Sequence, residues 1–273
     1  MFSVLMSLYD KEKPEYLDQC LNSLSRQTLL ADEIVMVYDG PINIHLESVV
    51  DKWSRLLPIK IVKLEKNVGL GKALNEGLIN CTFDIVARMD TDDICNEKRF
   101  EKQINMFARD DELSILGSYI EEFEGAEKNI ISVRHVPQTY NEILNTIKLK
   151  NPFNHMTVMF KKKAILSVGG YQKHHLMEDY NLWLRLISKG YKGLNIPENL
   201  VSVRAGRDMI ARRHGVKYIG SELRLAKLKM ELGYLGVTRS IYIFILRSLP
   251  RLMPIFILKE IYKIARVKSL FGV

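Results

Sequence analysis

Short apolar runs alternate with helical stripes over the first 110 residues, and this alternation constrains the fold more than any other feature. The apolar runs lie at residues 2–8, 34–38, 59–64 and 83–89. Between them, apolar residues recur at the spacing of helices that bury one face. Strands separated by helices of about 10–15 residues indicate βαβ units with right-handed crossovers, which place helices on both faces of a parallel sheet.

The pattern changes after residue 110. Residues 113–123, 130–136 and 156–160 are typical of antiparallel strands, whereas 178–189 and 218–232 have helical spacing. A length of 273 residues suits one large domain with an extension, because single cores stop growing near about 250–300 residues. We therefore predict an α/β protein with a single Rossmann-like, mostly parallel sheet and a C-terminal helical extension.

The positive charge of the chain is concentrated at its C-terminal end. The chain has a net charge of +8, and residues 239–273 supply +6 of it through seven basic residues and one acidic residue. The nearly neutral remainder argues against a nucleic-acid-binding protein. The same segment carries apolar runs at 241–246 and 255–258, which are too short to cross a bilayer but suit an anionic membrane surface. Two C-terminal helices packed on the domain are the alternative.

The cysteines and the N-terminus indicate a cytoplasmic protein. Cys20, Cys81 and Cys95 are odd in number and lack metal-ligand spacing, which favours buried free thiols in a reducing compartment. The first ten residues have no basic segment ahead of their apolar run. They are therefore predicted to form a strand rather than a signal peptide.

Three carboxylates follow the fourth predicted strand within four residues: Asp90, Asp92 and Asp93. In an extended chain Asp90 and Asp92 point to the same side. Like charges this close are unfavourable unless a cation or a proton is shared between them. Because oxygen ligands suit Mg²⁺ and Mn²⁺, which also bind diphosphates, the motif predicts a site for either metal. A capped loop, in which Asp92, Asp93 and Asn96 begin the next helix, is the alternative.

A glycine-rich turn at residues 67–73 leads into the third predicted helix. It has neither the spacing of a P-loop nor the third glycine of the dinucleotide-binding fingerprint. The turn can still place a helix N-terminus and Lys72 beside a phosphate or a base. The alternative is a plain strand-to-helix turn with no ligand, which would have the same composition.

Two further motifs lie in the second half of the chain. Glu178 and Asp179 open an amphipathic helix, where acids are favourable with the helix dipole in any case. The functional interpretation of this pair is a general base. The arginines Arg204, Arg212 and Arg213 suit either a mobile loop that clamps a diphosphate or a solvated linker.

These motifs occur together in the order found in a known family. The chain resembles the glycosyltransferase family 2 enzymes, above all bacterial O-antigen and exopolysaccharide transferases, over roughly residues 2–230. The runs that carry the resemblance are SVLMSLYDKEKPEYLDQCLNSLSRQT, DEIVMVYDGP, NVGLGKALNEGL, ARMDTDD, NPFNHMTVMF and EDYNLWLRL. The resemblance implies the A-type glycosyltransferase fold, a nucleotide-sugar donor, a divalent cation and inversion at the anomeric carbon.

The resemblance also implies roles for residues of the first half. Tyr9 and Asp39 would contact the uridine, with Asp39 reading the uracil. Asn67 and Lys72 would lie beside the nucleotide. Asp90 would lie near the ribose or a metal-bound water.

The remaining implied roles link the two halves. Asp92 would bind the metal, and Asp179 matches the base of the family, with Glu178 beside it. The run at 181–185 lacks the Q-x-x-R-W sequence of processive members, which favours single addition. Three arginines complete the predicted donor-binding set: Arg88, Arg212 and Arg213.

The sequence therefore predicts an inverting, metal-dependent glycosyltransferase that moves one sugar from a UDP-sugar, expected to be a UDP-hexose, to a polyprenyl-diphosphate-linked saccharide. Residues 1–110 would bind the nucleotide-sugar, 111–238 would bind the acceptor and supply the base, and 239–273 would form a membrane-surface tail. The protein would be peripheral at the inner face of the bacterial cell membrane. This function requires Asp92 and Asp179 to border one pocket.

Two other functions fit the α/β pattern less well. A sugar-1-phosphate nucleotidyltransferase needs a glycine-rich phosphate loop after the first strand, and residues 7–14 contain no glycine. A non-catalytic membrane-surface module built on a degenerate transferase fold would not need Asp92 and Asp179, which are both present.

Overall fold

The computed structural model describes residues 1–125, 129–205 and 215–253. Arg212, Arg213 and the C-terminal residues 254–273 lie outside the described residues. The described strands are β1 (Ser3–Leu8), β2 (Glu33–Tyr38), β3 (Ile59–Lys63), β4 (Ile85–Arg88), β5 (Ile94–Cys95), β6 (Leu113–Phe123), β7 (Ile130–Arg134), β8 (Met159–Lys161) and β9 (Lys192–Arg204). The described helices are α1 (Pro14–Ser25), α2 (Ile44–Trp53), α3 (Leu70–Asn80), α4 (Arg99–Arg109), α5 (Tyr140–Thr146), α6 (Lys162–Ser167), α7 (Glu178–Ser188), α8 (Val216–Glu231) and α9 (Val237–Ser248).

Local sequence signals set where several helices begin. Pro14 stands at the first position of α1, where its missing N–H leaves no hydrogen bond unmade. The Asn43 side chain accepts hydrogen bonds from two backbone N–H groups in the first turn of α2. Thr139 and Glu142 form a capping box at the start of α5. α1 and α2 therefore start shortly after the carboxyl ends of β1 and β2, the edge at which a ligand is expected.

The described strands form one sheet in the order β3-β2-β1-β4-β8-β6-β9-β5, with β7 beside β6. β1 pairs in parallel with β2 and β4, and β2 pairs in parallel with β3. β8 is antiparallel to both β4 and β6, whereas β6 and β9 are parallel. The predicted α/β fold with helices around one sheet is confirmed, and the sheet is mixed because β5, β7 and β8 run antiparallel to their neighbours.

Two hydrophobic clusters lie on opposite faces of the sheet. Along β1, Val4 and Met6 belong to one cluster and Leu5 to the other, as the two-residue period of a strand requires. Residues of α1, α2 and α4 complete the first cluster. Residues of α3 and α7 complete the second, which includes the fully buried Trp183. Helices therefore cover both faces, and the ends of the parallel strands are held in a rigid frame.

Strand β9 differs most from the sequence expectation. It pairs with β6 along its whole length, but the register shifts beside residues 197–199, where Pro-Glu-Asn interrupts the apolar pattern. A strand with this interruption has no clear two-residue period, so the sequence did not predict it. Arg204, which the sequence assigned to a mobile loop or a linker, is instead the last residue of β9.

The C-terminal extension is packed on the domain and also presents an apolar face outward. The Arg247 guanidinium on α9 forms an ion pair with Glu222 on α8, 2.7 Å from Nε to Oε2. Large apolar side chains of the other face are exposed: Ile241, Tyr242, Ile245, Leu246, Leu249 and Leu252. Within the described ranges, the helices are all too short or too polar to span a bilayer.

Candidate active site

The carboxyl ends of β1, β2 and β4 meet at one edge of the sheet, because these strands are adjacent and parallel. Tyr9 follows β1 and is 42% exposed. Asp39 follows β2, and Asp90 follows β4 by two residues. The structure thus brings these three predicted donor-site residues to the same edge.

The Asp39 carboxylate fastens the end of β2 to the loop that precedes α3. Asp39 Oδ1 accepts a hydrogen bond from the Val68 backbone N–H over 2.6 Å, and Oδ2 accepts one from Gly69 over 3.1 Å. The Asn67 side-chain amide donates to the Asp39 carbonyl oxygen over 3.2 Å. Gly40 has a φ of +89°, and a Cβ there would lie 2.7 Å from the Asn67 backbone nitrogen, so only glycine fits this approach.

This loop positions the predicted nucleotide-side residues. Asp39 itself is buried, whereas Asn67 and Lys72 are exposed. Lys72 lies in the first turn of α3, near the end at which the helix dipole is positive. Asp39 and Asn67 are therefore in direct contact, and Lys72 is available at the surface of the same edge.

Arg88 and Asp90 form an ion pair at the end of β4. The Arg88 side chain is 1% exposed, whereas that of Asp90 is 31% exposed. Arg99 Nη2 donates to the Arg88 carbonyl oxygen over 2.7 Å and fixes the strand end. The Arg88 Nε is buried and has no hydrogen-bond acceptor among the described residues. A buried guanidinium with an unused donor is costly unless a ligand completes it.

Negative charge accumulates in the turn that follows. Burial, followed by the charges of Asp90 and Glu12, raises the pKa of Asp92 to about 7. Burial, Asp92 and Asp90 raise the pKa of Asp93 as well. Asp93 is 2% exposed, and its Oδ1 accepts a hydrogen bond from the Arg204 backbone N–H over 3.0 Å. Asp93 therefore holds the turn together, while Asp90 and Asp92 remain partly exposed.

Arg204 braces the same turn from the end of β9. Its Nε donates to the Asp92 carbonyl oxygen over 3.2 Å, and its Nη2 donates to Gln19 over 2.7 Å. Its guanidinium lies over the rings of Tyr16 and Phe123, 3.8 and 4.6 Å from their centroids. With these contacts Arg204 is a brace for the turn rather than part of a mobile diphosphate clamp.

The donor set at this edge fits a divalent cation that is shared with a ligand. In residues 1–125, 129–205 and 215–253, no group of three or more His, Cys, Asp or Glu side chains is placed to hold a metal ion alone. Asp90 and Asp92 offer two carboxylates, and Mg²⁺ is commonly held by one or two carboxylates together with water and phosphate oxygens. The raised pKa of Asp92 reflects a like-charge repulsion that such a cation would relieve.

Asp179 lies in the first turn of α7, where Asn151 Nδ2 donates to its Oδ2 over 2.7 Å. Glu178 precedes it, and burial together with the Asp179 charge raises the pKa of Glu178. A Cβ on Gly71 would lie 3.2 Å from Glu178 Cγ, so the starts of α3 and α7 are in contact. The predicted nucleotide loop and the predicted base helix therefore meet, although about a hundred residues separate them in the chain.

Tyr171 links the two acidic regions. Its hydroxyl lies 2.9 Å from His155 Nε2. Burial raises the pKa of Tyr171; the charges of Asp179 and Asp90 raise it as well, and Arg88 opposes them. Tyr171 therefore lies within electrostatic reach of both carboxylates.

A cavity of about 290 Å³ is lined by Asp179, and its described lining includes none of Asp90, Asp92 and Asp93. His155 lies on its wall, and burial together with the Arg88 charge lowers the pKa of His155 well below its ordinary value. Four cations also line the cavity: Arg134, Lys150, Arg247 and Arg251. The base candidate thus lies between an acidic turn and a basic cavity.

Sequence reasoning missed several residues of this site. Glu12 accepts a hydrogen bond from the Thr91 hydroxyl over 2.8 Å and adds charge to the turn. Tyr171 lies between Gly169-Gly170 and a polar run, and nothing in this local sequence distinguishes it as a site residue. Asn151 lies within the run NPFNHMTVMF, which the family resemblance had already singled out, so its position there was the available signal.

Comparison with known proteins agrees with this geometry. The sequence profile described as Glycosyl transferase family 2 matches residues 3–173. The chain is 51% identical to the amylovoran biosynthesis glycosyltransferase AmsE of Erwinia amylovora, over 96% of this chain and 98% of the relative. It is 41% identical to the UDP-Gal:alpha-D-GlcNAc-diphosphoundecaprenol beta-1,3-galactosyltransferase of Escherichia coli, over 96% of this chain and 95% of the relative.

Solved structures confirm the predicted A-type glycosyltransferase fold. S. aureus TarS 1–349 in complex with UDP-GlcNAc has a TM-score of 0.68 at 19% identity, covering 92% of this chain and 72% of that one. The mannosyltransferase PcManGT from Pyrobaculum calidifontis, in complex with GDP-Man and Mn²⁺, has a TM-score of 0.63 at 16% identity, covering 86% and 64%. The chain spans 43% of the longer TarS crystal structure.

Proposed function

The chain belongs to glycosyl transferase family 2, and we propose that this glycosyltransferase of exopolysaccharide or O-antigen synthesis moves one hexose from a UDP-sugar to a lipid-linked saccharide with inversion. The relative from Escherichia coli is named for a UDP-Gal donor and a diphosphoundecaprenol-linked GlcNAc acceptor. At 41% identity over nearly the whole of both chains, the same classes of donor and acceptor are the best-supported assignment here.

The donor site is proposed at the carboxyl edge of β1, β2 and β4. Tyr9, Asp39, Asn67 and Lys72 would contact the nucleotide, because they gather at the ends of these strands and at the start of α3. The unused Nε donor of Arg88 would face the ribose–diphosphate region. Arg212 and Arg213 stay predictions for the same donor-binding set.

Asp90 and Asp92 would hold the divalent cation, Mn²⁺ or Mg²⁺. When bound, the cation would neutralise negative charge on the diphosphate. Asp93 and Arg204 keep these two carboxylates in place through the contacts that brace the turn. The proposal gains support from the repulsion between Asp92 and its acidic neighbours and from the Mn²⁺ named in the PcManGT complex.

Asp179 would act as the general base on the acceptor hydroxyl, which then attacks the anomeric carbon opposite the leaving diphosphate. The amide of Asn151 donates a hydrogen bond to Asp179 Oδ2 and orients the carboxylate. Glu178 lies beside it against Gly71, where it would separate the base from the nucleotide loop. Direct displacement needs no enzyme nucleophile, so positioning and electrostatics would supply the acceleration.

The protein is proposed to act as a peripheral protein at the cytoplasmic face of the cell membrane. The exposed apolar face of α9 is the contact surface, and a lipid surface is its occupant, because the proposed acceptor is itself lipid-linked. The domain division is part of the same proposal: a donor half at 1–110, an acceptor and base half at 111–238, and a membrane-surface tail at 239–273.

The observation that carries this proposal is the contact between the starts of α3 and α7, where a Cβ on Gly71 would lie 3.2 Å from Glu178 Cγ. It supports a single site shared by the nucleotide-side loop and the helix that carries Asp179.

The test is turnover of purified protein with a UDP-hexose panel and a synthetic lipid-diphosphate saccharide, followed by NMR of the product. We expect Asp179→Asn to lower kcat by about 10²–10⁴, the usual contribution of a general base, while donor binding is retained. Asp51→Asn, on the exposed side of α2, is the matched control. Near-normal turnover by Asp179→Asn would remove the base assignment, and a product with retained configuration would contradict direct displacement.

A further inference from the structure

The cavity beside Asp179 is strongly cationic, and neither the proposed donor site nor the proposed base accounts for its positive charge. It is lined by four basic side chains, and Asp179 is the single carboxylate among its described lining residues. A site that only had to accept a neutral sugar would gain nothing from so many positive charges, which repel one another.

The four cations divide into two kinds. Arg247 is committed to the protein, because its Nε and Nη2 donate to Glu222 over 2.7 and 2.8 Å and its Nη1 donates to the Leu149 carbonyl oxygen over 3.0 Å. Arg251 lies over the Tyr218 ring, 4.9 Å from its centroid. These two arginines form a fixed positive wall.

The other two cations are exposed at the cavity. Lys150 is exposed and makes no ion pair with any described residue. Arg134 is exposed at the end of β7. Lys150 directly precedes Asn151, whose amide binds Asp179, so its ammonium group reaches the cavity from beside the base.

The donor diphosphate does not account for this charge. The proposed donor site lies at the acidic turn. There, a divalent cation would lie between the carboxylates of Asp90 and Asp92 and the donor phosphates. The basic cavity is lined by Asp179 together with residues of α8 and α9, and its described lining includes no residue of the acidic turn. A second anionic group is therefore expected there.

We propose that this cavity binds the diphosphate of the acceptor, with Lys150 and Arg134 contacting the phosphate oxygens and Arg247 and Arg251 providing the positive wall behind them. The inference rests on the proposed function, and it adds that the enzyme selects acceptors whose anomeric oxygen carries a phosphate ester. Arginine and lysine are the side chains that bind phosphate most strongly in proteins.

The geometry of such an acceptor agrees with this placement. In a sugar diphosphate the attacking hydroxyl and the anomeric phosphate are separated by one sugar ring. The diphosphate site must then lie about one ring away from the base, and the cations line the same cavity as Asp179. The exposed apolar face of α9 lies on the same segment as Arg247 and Arg251, so a lipid chain that leaves the cavity meets an apolar surface.

The experiment compares two acceptor probes: α-D-GlcNAc-diphosphate on a short prenyl chain, and the same sugar as an uncharged alkyl glycoside. We expect Lys150→Gln to raise KM for the diphosphate probe about tenfold, the loss of one charge-assisted hydrogen bond. Its kcat, its KM for the UDP-hexose and its KM for the alkyl glycoside should stay near the wild-type values. Arg134→Gln should behave in the same way, and Lys148→Gln, two residues away and outside the cavity, should not.

A binding arm separates this inference from the proposed function. Calorimetric titration of the diphosphate probe, without donor, should show the same tenfold weakening in Lys150→Gln. If the wild type binds the probe through Lys150 but transfers no hexose, the proposed function fails and the cavity assignment stands. Equal affinity of wild type and Lys150→Gln for the probe, with turnover intact, would overturn the cavity assignment. Loss of binding to anionic vesicles that lack acceptor, with unchanged probe affinity, would instead assign the cations to lipid head groups.

Discussion

The two sides of Asp179 are of opposite charge. On the donor side, Asp90, Asp92 and Asp93 share one turn near Glu12, and burial, followed by the charges of Asp90 and Glu12, raises the pKa of Asp92 to about 7. On the acceptor side, four cations line one cavity. If each side binds a diphosphate, the protein treats the two in different ways.

The difference follows from the fate of each diphosphate. The donor diphosphate gains charge as the sugar–oxygen bond breaks, so carboxylates that recruit a divalent cation supply strong and local stabilisation. The acceptor diphosphate keeps its charge throughout and only has to be positioned, for which fixed arginines and lysines suffice.

The largest effect is expected on the donor side. Asp92→Ala should lower kcat by about 10³ or more, because metal-assisted neutralisation is worth several kcal/mol in the transition state. Calorimetry should show that this variant also loses metal-dependent UDP binding, which Asp179→Asn keeps. Glu97→Gln, an exposed carboxylate outside the turn, is the control. Metal-dependent UDP binding that survives in Asp92→Ala would show that the acidic turn does not hold the cation.

A smaller effect is expected on the lipid-facing surface of the acceptor side. Ile241→Glu on α9 should weaken binding to anionic vesicles about tenfold, since it removes one buried isoleucine from the contact and adds a repelled charge. Ile241 is 53% exposed, and Ile44 on the donor side is 66% exposed. Ile44→Glu is therefore a matched substitution, and the comparison fails if both variants bind vesicles alike in a sedimentation assay.

The smallest effect concerns stability on the acceptor side. Lys229 is 2% exposed beside Arg247, and burial, followed by the Arg247 charge, lowers its pKa to about 7, against 10.5 ordinarily. Between these values the unfolded chain binds a proton that the folded chain does not, so this lysine makes stability rise as pH increases from about 7 to 10.5. Lys229→Met should raise the free energy of unfolding by about 1 kcal/mol at pH 7. It should also remove the part of the increase with pH that Lys229 causes.

Urea unfolding of both proteins at pH 7 and pH 9.5 measures this difference. Lys227→Met, a neighbouring exposed lysine, should leave the pH dependence unchanged. If the free energy of unfolding changed equally with pH in wild type and Lys229→Met, the lysine would be charged in the folded state throughout this range.

The local sequence pattern was sufficient to predict the strands and helices of the first half of the fold. Residues 34–38 are apolar throughout because β2 is buried on both faces, and the helices between strands show one buried stripe each. The acidic turn was visible as well, since three carboxylates in four residues need an explanation wherever they occur.

The local sequence pattern did not predict the structure where strand pairing, rather than residue periodicity, determines it. β9 carries Pro-Glu-Asn in its middle and is held by its ladder with β6, which no local window contains. Arg204 looked like a loop cation, but β9 delivers it between Tyr16 and Phe123, where it braces the turn of Asp92. The inward direction of Arg247, within a tail that looked uniformly membrane-directed, depends on Glu222 of α8.

By itself, the sequence determined which chemical groups are present: the acids that follow a buried strand, the acid pair that opens α7, and the apolar and basic residues of the C-terminus. Periodicity and turn composition are local properties, so they are encoded within a few residues of each element. Only the tertiary structure decided which groups act on one another. Asp39 at the end of β2 binds the loop before α3, the start of α3 contacts Glu178 of α7, and cations from β7, α9 and the segment before Asn151 line one cavity. Contacts between distant segments are fixed by sheet order and packing, which no short stretch of sequence contains.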